Sequence, residues 1–390
     1  MVKGRLMSLK DVAEWGSGGT PKRGVHEYFG EGMPWLSVSD LNDDVVTAAK
    51  ESLTASGIEH SSAKVVPEGT VFIAMYASIG KLGVAGRPCC TSQAIAFAKP
   101  DTAIIDRWYL FYFLQAQREK FKSISNTGTQ PNISQKILKA WPITVPDMDT
   151  QCRVVNRLDA VRHQIRLLES MLAKADELAQ SRFVEMFGDP VQDGGRWSCR
   201  RMDSLYVVTS AKRIYARDLQ TSGVPFLKLG DLTSRIAGDK ASCSGYVDSE
   251  TFARLRANDQ VPQADDILVT ARGTMGLCYV VKPTDDFYFQ DGMITWLKQR
   301  KDSPDPLFLV HLFAMPSFRN QLLGITSGTT VSYLSIKALS NTEIPVPPIE
   351  LQREFATFVR QVESLKTDLN QQLDRLNTLY DSLTQRYFME

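Results

Sequence analysis

The sequence predicts an α+β chain: two mixed-sheet domains separated by two long helices that pack antiparallel as a coiled coil, with an internal pseudo-two-fold. Three observations carry this. The chain repeats itself at an offset of roughly 200 residues. Within each repeat, short β-type runs bounded by turns give way to a long helical period. A period of that length describes two domains, each with its own core, rather than a solenoid of short units.

The repeat is clearest at its end. With Gln151 set beside Gln352, the pairs Ile143/Ile344, Val145/Val346, Pro146/Pro347, Val161/Val362, Leu168/Leu369, Leu172/Leu373, Leu178/Leu379, Ser181/Ser382 and Phe187/Phe388 fall in one ungapped register. Upstream the order persists while the offset shrinks, as loops of different length require. Ala94-Ile95-Ala96-Phe97 faces Met293-Ile294-Thr295-Trp296, Val71-Phe72-Ile73 with Gly80 faces Ile267-Leu268-Val269 with Gly276, and Pro34-Trp35-Leu36 with Asp40-Leu41 faces Pro225-Phe226-Leu227 with Asp231-Leu232.

Residues 1–147 form the first sheet domain, with β-type runs at 35–38, 71–74 and 94–98 and a turn cluster Gly-Ser-Gly-Gly-Thr-Pro at 16–21. Residues 108–121 turn from apolar to charged, which predicts a helix packed on that sheet, matched by 307–322. Residues 148–187 are the first helical spacer, with Val154, Leu158, Val161, Ile165, Leu168, Leu172, Ala175 and Leu178 three or four apart and Asp149 or Thr150 placed to cap its start. Gly188-Asp189-Pro190 and Gly194-Gly195 end it in a linker over 188–200. The second sheet domain spans 201–347 and the second spacer 348–390, where Val362, Leu369, Leu376 and Leu383 recur every seventh residue, Leu365 and Leu379 occupy the neighbouring positions and Gln372 is the polar exception.

A helix from Ile349 to Phe388 runs roughly 58 Å at 1.5 Å per residue, more than one small domain requires. Its apolar stripe needs a partner, and the copy in the same chain supplies one. Packed antiparallel, the pair would hold the sheet domains at opposite ends, at least about 34 Å apart, one turn of DNA.

At 390 residues, 43% hydrophobic and 23% charged, the chain has the composition of a globular protein with room for two or three cores. No apolar run reaches the roughly 18 residues of a membrane span, and the start MVKGRLMSLK has no signal-peptide core, so the expected compartment is the cytoplasm. Cys89, Cys90, Cys152, Cys199, Cys243 and Cys278 show no CxxC spacing and are read as reduced thiols in packed positions, with no metal site. His26, His60, His163 and His311 share no spacing either. The net charge of +1 leaves DNA binding open, because a local basic face can neutralise phosphates while acidic helices balance the total.

The residues at the end of each sheet domain and the start of each spacer point to a family. The first copy reads Thr127-Gly128-Thr129-Gln130-Pro131-Asn132-Ile133-Ser134, then Ile143-Thr144-Val145-Pro146 and Gln151. The second reads Ser327-Gly328-Thr329-Thr330-Val331-Ser332-Tyr333-Leu334-Ser335, then Ile344-Pro345-Val346-Pro347-Pro348 and Leu351-Gln352-Arg353-Glu354. With the opening GSGGTPKR and PWLSVSDL, the whole chain resembles the specificity subunit of type I restriction-modification systems. Two departures matter: Thr330-Val331-Ser332-Tyr333 stands where the first copy has Gln130-Pro131-Asn132, and Ser210-Ala211-Lys212-Arg213 replaces the Gly-Gly-Thr-Pro opening.

The resemblance implies two target-recognition domains that share a fold and read different bases, hence a bipartite asymmetric target in double-stranded DNA. It also implies that the spacer holds two methyltransferase (M) subunits, that restriction/translocase (R) subunits join for cleavage, and that S-adenosylmethionine, ATP and Mg belong to those partners rather than to this chain. The residues agree. The only Pro-Pro, Pro347-Pro348, lies between Val346 and Ile349 and cannot serve as the (D/N/S)-P-P-(Y/F) segment that holds a flipped adenine. Phe29-Gly30-Glu31-Gly32 reads as a surface turn rather than a cofactor loop, and no GxxxxGK(S/T) occurs. No catalytic residue and no metal ligand is assigned.

Base edges are read by Arg, Lys, Asn, Gln, Ser and Thr, and phosphates by Lys, Arg and backbone N–H groups. In the first domain the DNA-facing candidates are Thr20, Lys22 and Arg23, then Tyr76, Ser78 and Lys81, then Thr129, Gln130 and Asn132. In the second they are Lys212, Arg213 and Lys228, Arg272 with Thr274, then Thr329, Thr330 and Tyr333. Each has a plainer reading. Residues 127–132 also suit a polar turn leading into a helix, and an arginine such as Arg272 on a rim is commonly solvated or salt-bridged. The aromatic runs 108–113 and 287–289 read as core rather than base-stacking platforms. Arg157, Glu169, Lys174, Arg360, Asp368 and Arg375 read as solvated helix faces, a share of which the family would use for the M subunits. An autonomous restriction-methylation enzyme would need the missing motifs, and a coiled-coil adaptor without DNA affinity would make the loop cations dispensable.

Overall fold

The computed structural model describes residues 3–125, 132–189, 196–239, 243–326 and 333–389. It divides into two compact units, one of residues 1–170 with 370–390 and one of residues 171–369. The first long helix, Met148–Phe187, therefore starts in one unit and ends in the other. The second, Ile349–Phe388, makes the reverse passage.

In the first unit a five-stranded mixed sheet runs in the order Ala13–Ser17, Ile95–Pro100, Val71–Ala74, Leu82–Ala85 and Val45–Val46, with only the last pairing parallel. A smaller sheet sets Phe29–Leu36 between Glu51–Leu53, antiparallel, and Cys90–Thr91, parallel. Arg5–Ser8 pairs with Pro142–Val145, which delivers the chain to the first long helix. Asp147 caps that helix: its Oδ1 accepts the Thr150 N–H at 2.8 Å, a hydrogen bond that holds its carboxyl below the usual range. The cap thus lies before Asp149 and Thr150, the two residues expected to provide it.

The second unit repeats the plan. Val207–Thr209, Ile294–Lys298, Ile267–Thr270 and Cys278–Val280 form an antiparallel four-stranded sheet. Val224–Leu227 lies between antiparallel Tyr246–Val247 and parallel Tyr288–Phe289, and Cys199–Arg201 pairs with Glu343–Pro345.

The helix expected over 108–121 is two helices, Arg107–Ala116 and Arg118–Ser125, and its counterpart splits into Pro306–Ala314 and Pro316–Thr326. The second break has a local cause. Met315 precedes Pro316 and is pushed to φ −61°, ψ 126°, outside the helical region. Both aromatic runs are core, with Tyr109 to Phe113 and Phe287 to Phe289 buried.

Each unit is closed by the end of the helix that began in the other. In the first unit Phe388 lies edge-on to Tyr109 (5.2 Å) and Phe113 (6.1 Å), the Tyr380 hydroxyl donates to Gln115 (2.6 Å), and Arg157 donates to the Tyr387 hydroxyl (3.0 Å). In the second unit Phe183 and Phe187 pack against Phe308 and Phe355 at centroid distances of 4.9 to 5.5 Å. There Lys366 meets Asp176 (2.7 Å) and Arg182 meets Glu354 (3.0 Å), an antiparallel pairing.

The stripe on the long helices differs from the heptad reading. Val362 and Leu369 are buried and Leu376 and Leu383 half-buried, as the heptad expects, but Leu178, Leu365 and Leu379 are about half exposed and Gln372 is exposed, whereas Ala175, Ala179, Phe183 and Phe187 of the first helix are buried. Residues spaced by four rotate the buried face away from Leu178. The cysteine expectation also needs amending. Cys89 and Cys90 are buried and burial raises their thiols to about 12 and about 11, but Cys152 and Cys199 are exposed.

Candidate nucleic-acid interface

The same backbone loop occurs once in each unit. In the first, Ala74 N–H donates to Lys81 O (2.9 Å), Gly80 N–H to Ala74 O (3.0 Å), Met75 N–H to Ala94 O (2.8 Å) and Ile133 N–H to Met75 O (3.0 Å). In the second, Thr270 N–H donates to Leu277 O, Gly276 N–H to Thr270 O and Ala271 N–H to Met293 O, each at 2.9 Å, and Leu334 N–H donates to Ala271 O at 3.0 Å. Ala77 (φ 58°) and Gly80 (φ 78°) match Gly273 (φ 64°) and Gly276 (φ 78°). With Ile79 and Met275 turned into the core, this frame presents Tyr76 in one unit and Arg272 in the other, both exposed.

The last of those bonds brings the second candidate segment alongside. Exposed Asn132 forms an isolated bridge with Tyr76, and the Arg272 guanidinium lies 5.0 Å from the ring of half-buried Tyr333. Thr129, Gln130, Thr329 and Thr330 lie outside the described residues. Ser78 and Thr274 are exposed on the two loops, and Lys81 reaches back to Val38 O (3.4 Å).

In the first unit Lys22 is exposed, Thr20 is half-buried, and Arg23 is strongly engaged. The Arg23 guanidinium stacks 4.8 Å from Phe29 and 4.9 Å from Trp35 and grips Glu51 with two nitrogens (2.5 and 2.9 Å). That hydrogen bonding holds the Glu51 carboxyl below its usual range, so the cation reaches solvent already neutralised. The glycines before it serve packing. A side chain on Gly18 would meet Thr91 O at 1.9 Å, and Trp35 Nε1 donates to Gly19 O (2.9 Å).

The second unit gathers its candidates more tightly. Arg213, Lys228 and Arg272 line a cleft of about 450 Å³ together with Tyr215, Phe226 and Gln290. Three cations face one carboxylate, Asp291, which accepts from Arg213 Nε at 2.8 Å. Lys212 is exposed just before the cleft, where its carbonyl accepts the Tyr288 hydroxyl (3.0 Å). Such a surface favours a polyanion, with guanidinium and ammonium groups for phosphate and a neutral amide for a base edge. Sequence reasoning missed Tyr215 and Gln290. The only signal for Gln290 was its position after the aromatic run 287–289, where a buried strand emerges.

Other repeated residues are structural. Gln151 and Gln352 are buried and tie each long helix to the start of a domain helix. His311 packs 5.0 Å from Phe355, and burial lowers its pKa. Among the described residues no group of His, Cys, Asp and Glu could hold a metal ion, and no helix is long and apolar enough to cross a membrane.

Two repeats of one α+β domain, each ending in a 40-residue helix and each carrying the same exposed loop, define a duplicated recognition scaffold. The chain belongs to the family described as the type I restriction modification DNA specificity domain, whose model matches residues 2–176 and again 197–377. It is a specificity subunit of a type I restriction-modification system and not a catalytic one. The type I restriction enzyme MjaIX specificity subunit of Methanocaldococcus jannaschii is 20% identical over 97% of this chain and 91% of its own length. The crystal structure of a type I restriction-modification system S subunit from M. genitalium superposes with a TM-score of 0.59 at 14% identity, covering 100% of this chain and 97% of that one. A chain from work on complex assembly and conformational transition of the type I R-M system gives 0.62 at 17% identity, covering 98% and 97%. At such identities the solved structures establish the fold.

Proposed function

We propose that this subunit reads a bipartite asymmetric target in double-stranded DNA and scaffolds two methyltransferase (M) subunits, with restriction/translocase (R) subunits completing the nuclease. Residues 1–147 and 201–347 are the recognition domains, 148–187 and 348–390 the helical spacers, and 188–200 the linker between the halves. The observation that carries the reading is the duplicated loop: one hydrogen-bonded frame offers Tyr76 in the first domain and Arg272 in the second. One fold with different tips suits two different half-sites.

The contacts proposed for the first half-site are Thr20, Lys22, Arg23, Tyr76, Ser78, Lys81, Thr129, Gln130 and Asn132. Those for the second are Lys212, Arg213, Lys228, Arg272, Thr274, Thr329, Thr330 and Tyr333. S-adenosylmethionine, ATP and Mg are assigned to the partner subunits, and the complex to the cytoplasm. Co-expression with the M subunit followed by long-read mapping of modified adenines tests this. A split motif whose halves respond separately to exchange of residues 1–147 and 201–347 is expected. Methylation at no split motif, or methyl transfer by this chain alone, would overturn it.

A further inference from the structure

The cation-lined cleft of the second domain contains a side chain of a different chemistry. Gln290 directly follows Tyr288–Phe289, and its N–H donates to Leu227 O at 2.9 Å, extending the parallel pairing with Val224–Leu227 by one residue. Phe289 before it is fully buried, and Asp291 after it is held by Arg213 at 2.8 Å. The Gln290 backbone is thus fixed on both sides while its half-buried side chain lines the cleft. Among the described residues its amide has no protein hydrogen-bond partner.

The other polar groups in the cleft define what this amide adds. Arg213, Lys228 and Arg272 offer donors only, the Tyr215 hydroxyl donates and accepts through one atom, and the one carboxylate, Asp291, is already accepting from Arg213. A planar amide presents a donor and an acceptor side by side. That pattern matches adenine in the major groove, whose N6 amino group donates and whose N7 accepts. Arginine and lysine would suit guanine or phosphate instead.

We infer that Gln290 is a specificity-determining residue of the second half-site, where its amide pairs with the N6/N7 edge of an adenine while the surrounding cations hold the phosphates. The inference rests on the DNA-recognition reading above. The corresponding position of the first domain is Ser92, whose N–H makes the matching bond to Leu36 O at 2.8 Å but which is only 7% exposed. The contact therefore belongs to one half-site alone.

The test uses the complete complex. Gln290→Ala and Gln290→Glu subunits are co-expressed with the M subunit, modified adenines are mapped over a library randomised through both half-sites, and thermal unfolding is recorded beside the wild type. With Gln290→Ala, preference for adenine at one position of the half-site assigned to residues 201–347 should fall about tenfold or more, with the first half-site and the unfolding temperature unchanged. Gln290→Glu should move that position toward cytosine, whose N4 amino group donates to a carboxylate. An unchanged motif in both variants, a rate loss spread evenly over all targets, or the absence of any adenine-specific position in that half-site overturns the inference while leaving the two-part reading intact. A wild-type complex with no split motif overturns both.

Discussion

The side-chain oxygen of Gln151 accepts the backbone N–H of Asp106 at 2.8 Å, joining the first turn of the long helix Met148–Phe187 to the residue that caps Arg107–Ala116. The same amide donates to Ile104 O and Pro146 O, both at 2.9 Å. Gln352 accepts from Asp305 N–H at 2.8 Å and donates to Pro347 O at 2.7 Å. Buried polar groups left without partners are costly, so these amides are staples of the junction. Gln151→Ala and Gln352→Ala should each destabilise their unit by about 2–4 kcal/mol, read as a lower denaturant midpoint. A shift no larger than that of an exposed control such as Gln164→Ala would contradict the staple.

The duplicated loop makes the same left-handed demand at equivalent positions and meets it with different residues. Ala77 holds φ 58°, a conformation costly for a residue with a Cβ, whereas Gly273 holds φ 64° without that cost. Ala77→Gly should be neutral or stabilising by up to about 1 kcal/mol, and Gly273→Ala destabilising by about 1 kcal/mol. Gly273→Val should be worse than Gly273→Ala, since branching at Cβ adds strain there. Calorimetry of the three variants checks the order, and equal effects of Ala77→Gly and Gly273→Ala would rule the argument out.

The cations of the second-domain cleft should be unequal in DNA binding. Among the described residues Lys228 makes no ion pair within 4 Å, whereas Arg213 is paired with Asp291 at 2.8 Å. Lys228→Ala should weaken binding on all sequences and reduce the slope of log affinity against log salt by about 0.9. Arg213→Ala should change that slope less. Titrations at several salt concentrations with the M-containing complex give both numbers, and identical slopes would remove the distinction.

His311 should impose a pH dependence on the second unit. Burial lowers its pKa from the ordinary 6.5; nearby Glu363 opposes the shift and Lys366 adds to it. The folded state binds the proton less readily than the unfolded chain, so stability is full above about 6.5 and declines as the pH falls through the lowered value. His311→Phe, which keeps a ring against Phe183 and Phe355, should flatten the decline in unfolding temperature between about pH 7.5 and 5. An unchanged slope would show that another group titrates.

The fold was legible because two physical signals are local: alternation ended by turns, and an apolar period over a whole helix. Misreadings arose where a residue's surroundings come from elsewhere in the chain. Leu178, Leu365 and Leu379 suit a heptad on paper, but each long helix packs first on one core and then on another, and the buried face passes through Ala179 and Phe183 in the first helix and through Phe355, Val359 and Val362 in the second. The cap is Asp147 rather than Asp149 or Thr150 because the helix begins at Met148, directly after it. The loop tips Tyr76 and Arg272 could be found because the repeat aligns them. Gln290 and Tyr215 could not, since the cleft forms only when residues 213–216 are brought beside the end of Tyr288–Phe289.

The frame behind Tyr76 and Arg272 works as a socket does, accepting different fittings at one fixed mounting. The hydrogen bonds common to both copies join main-chain atoms, with the Thr270 hydroxyl adding two more in the second, and none of them uses the side chain at the tip. On the proposed reading of these tips as base contacts, new target preferences would arise by single substitutions at two positions, leaving the protein's stability and its choice of sequence to evolve separately.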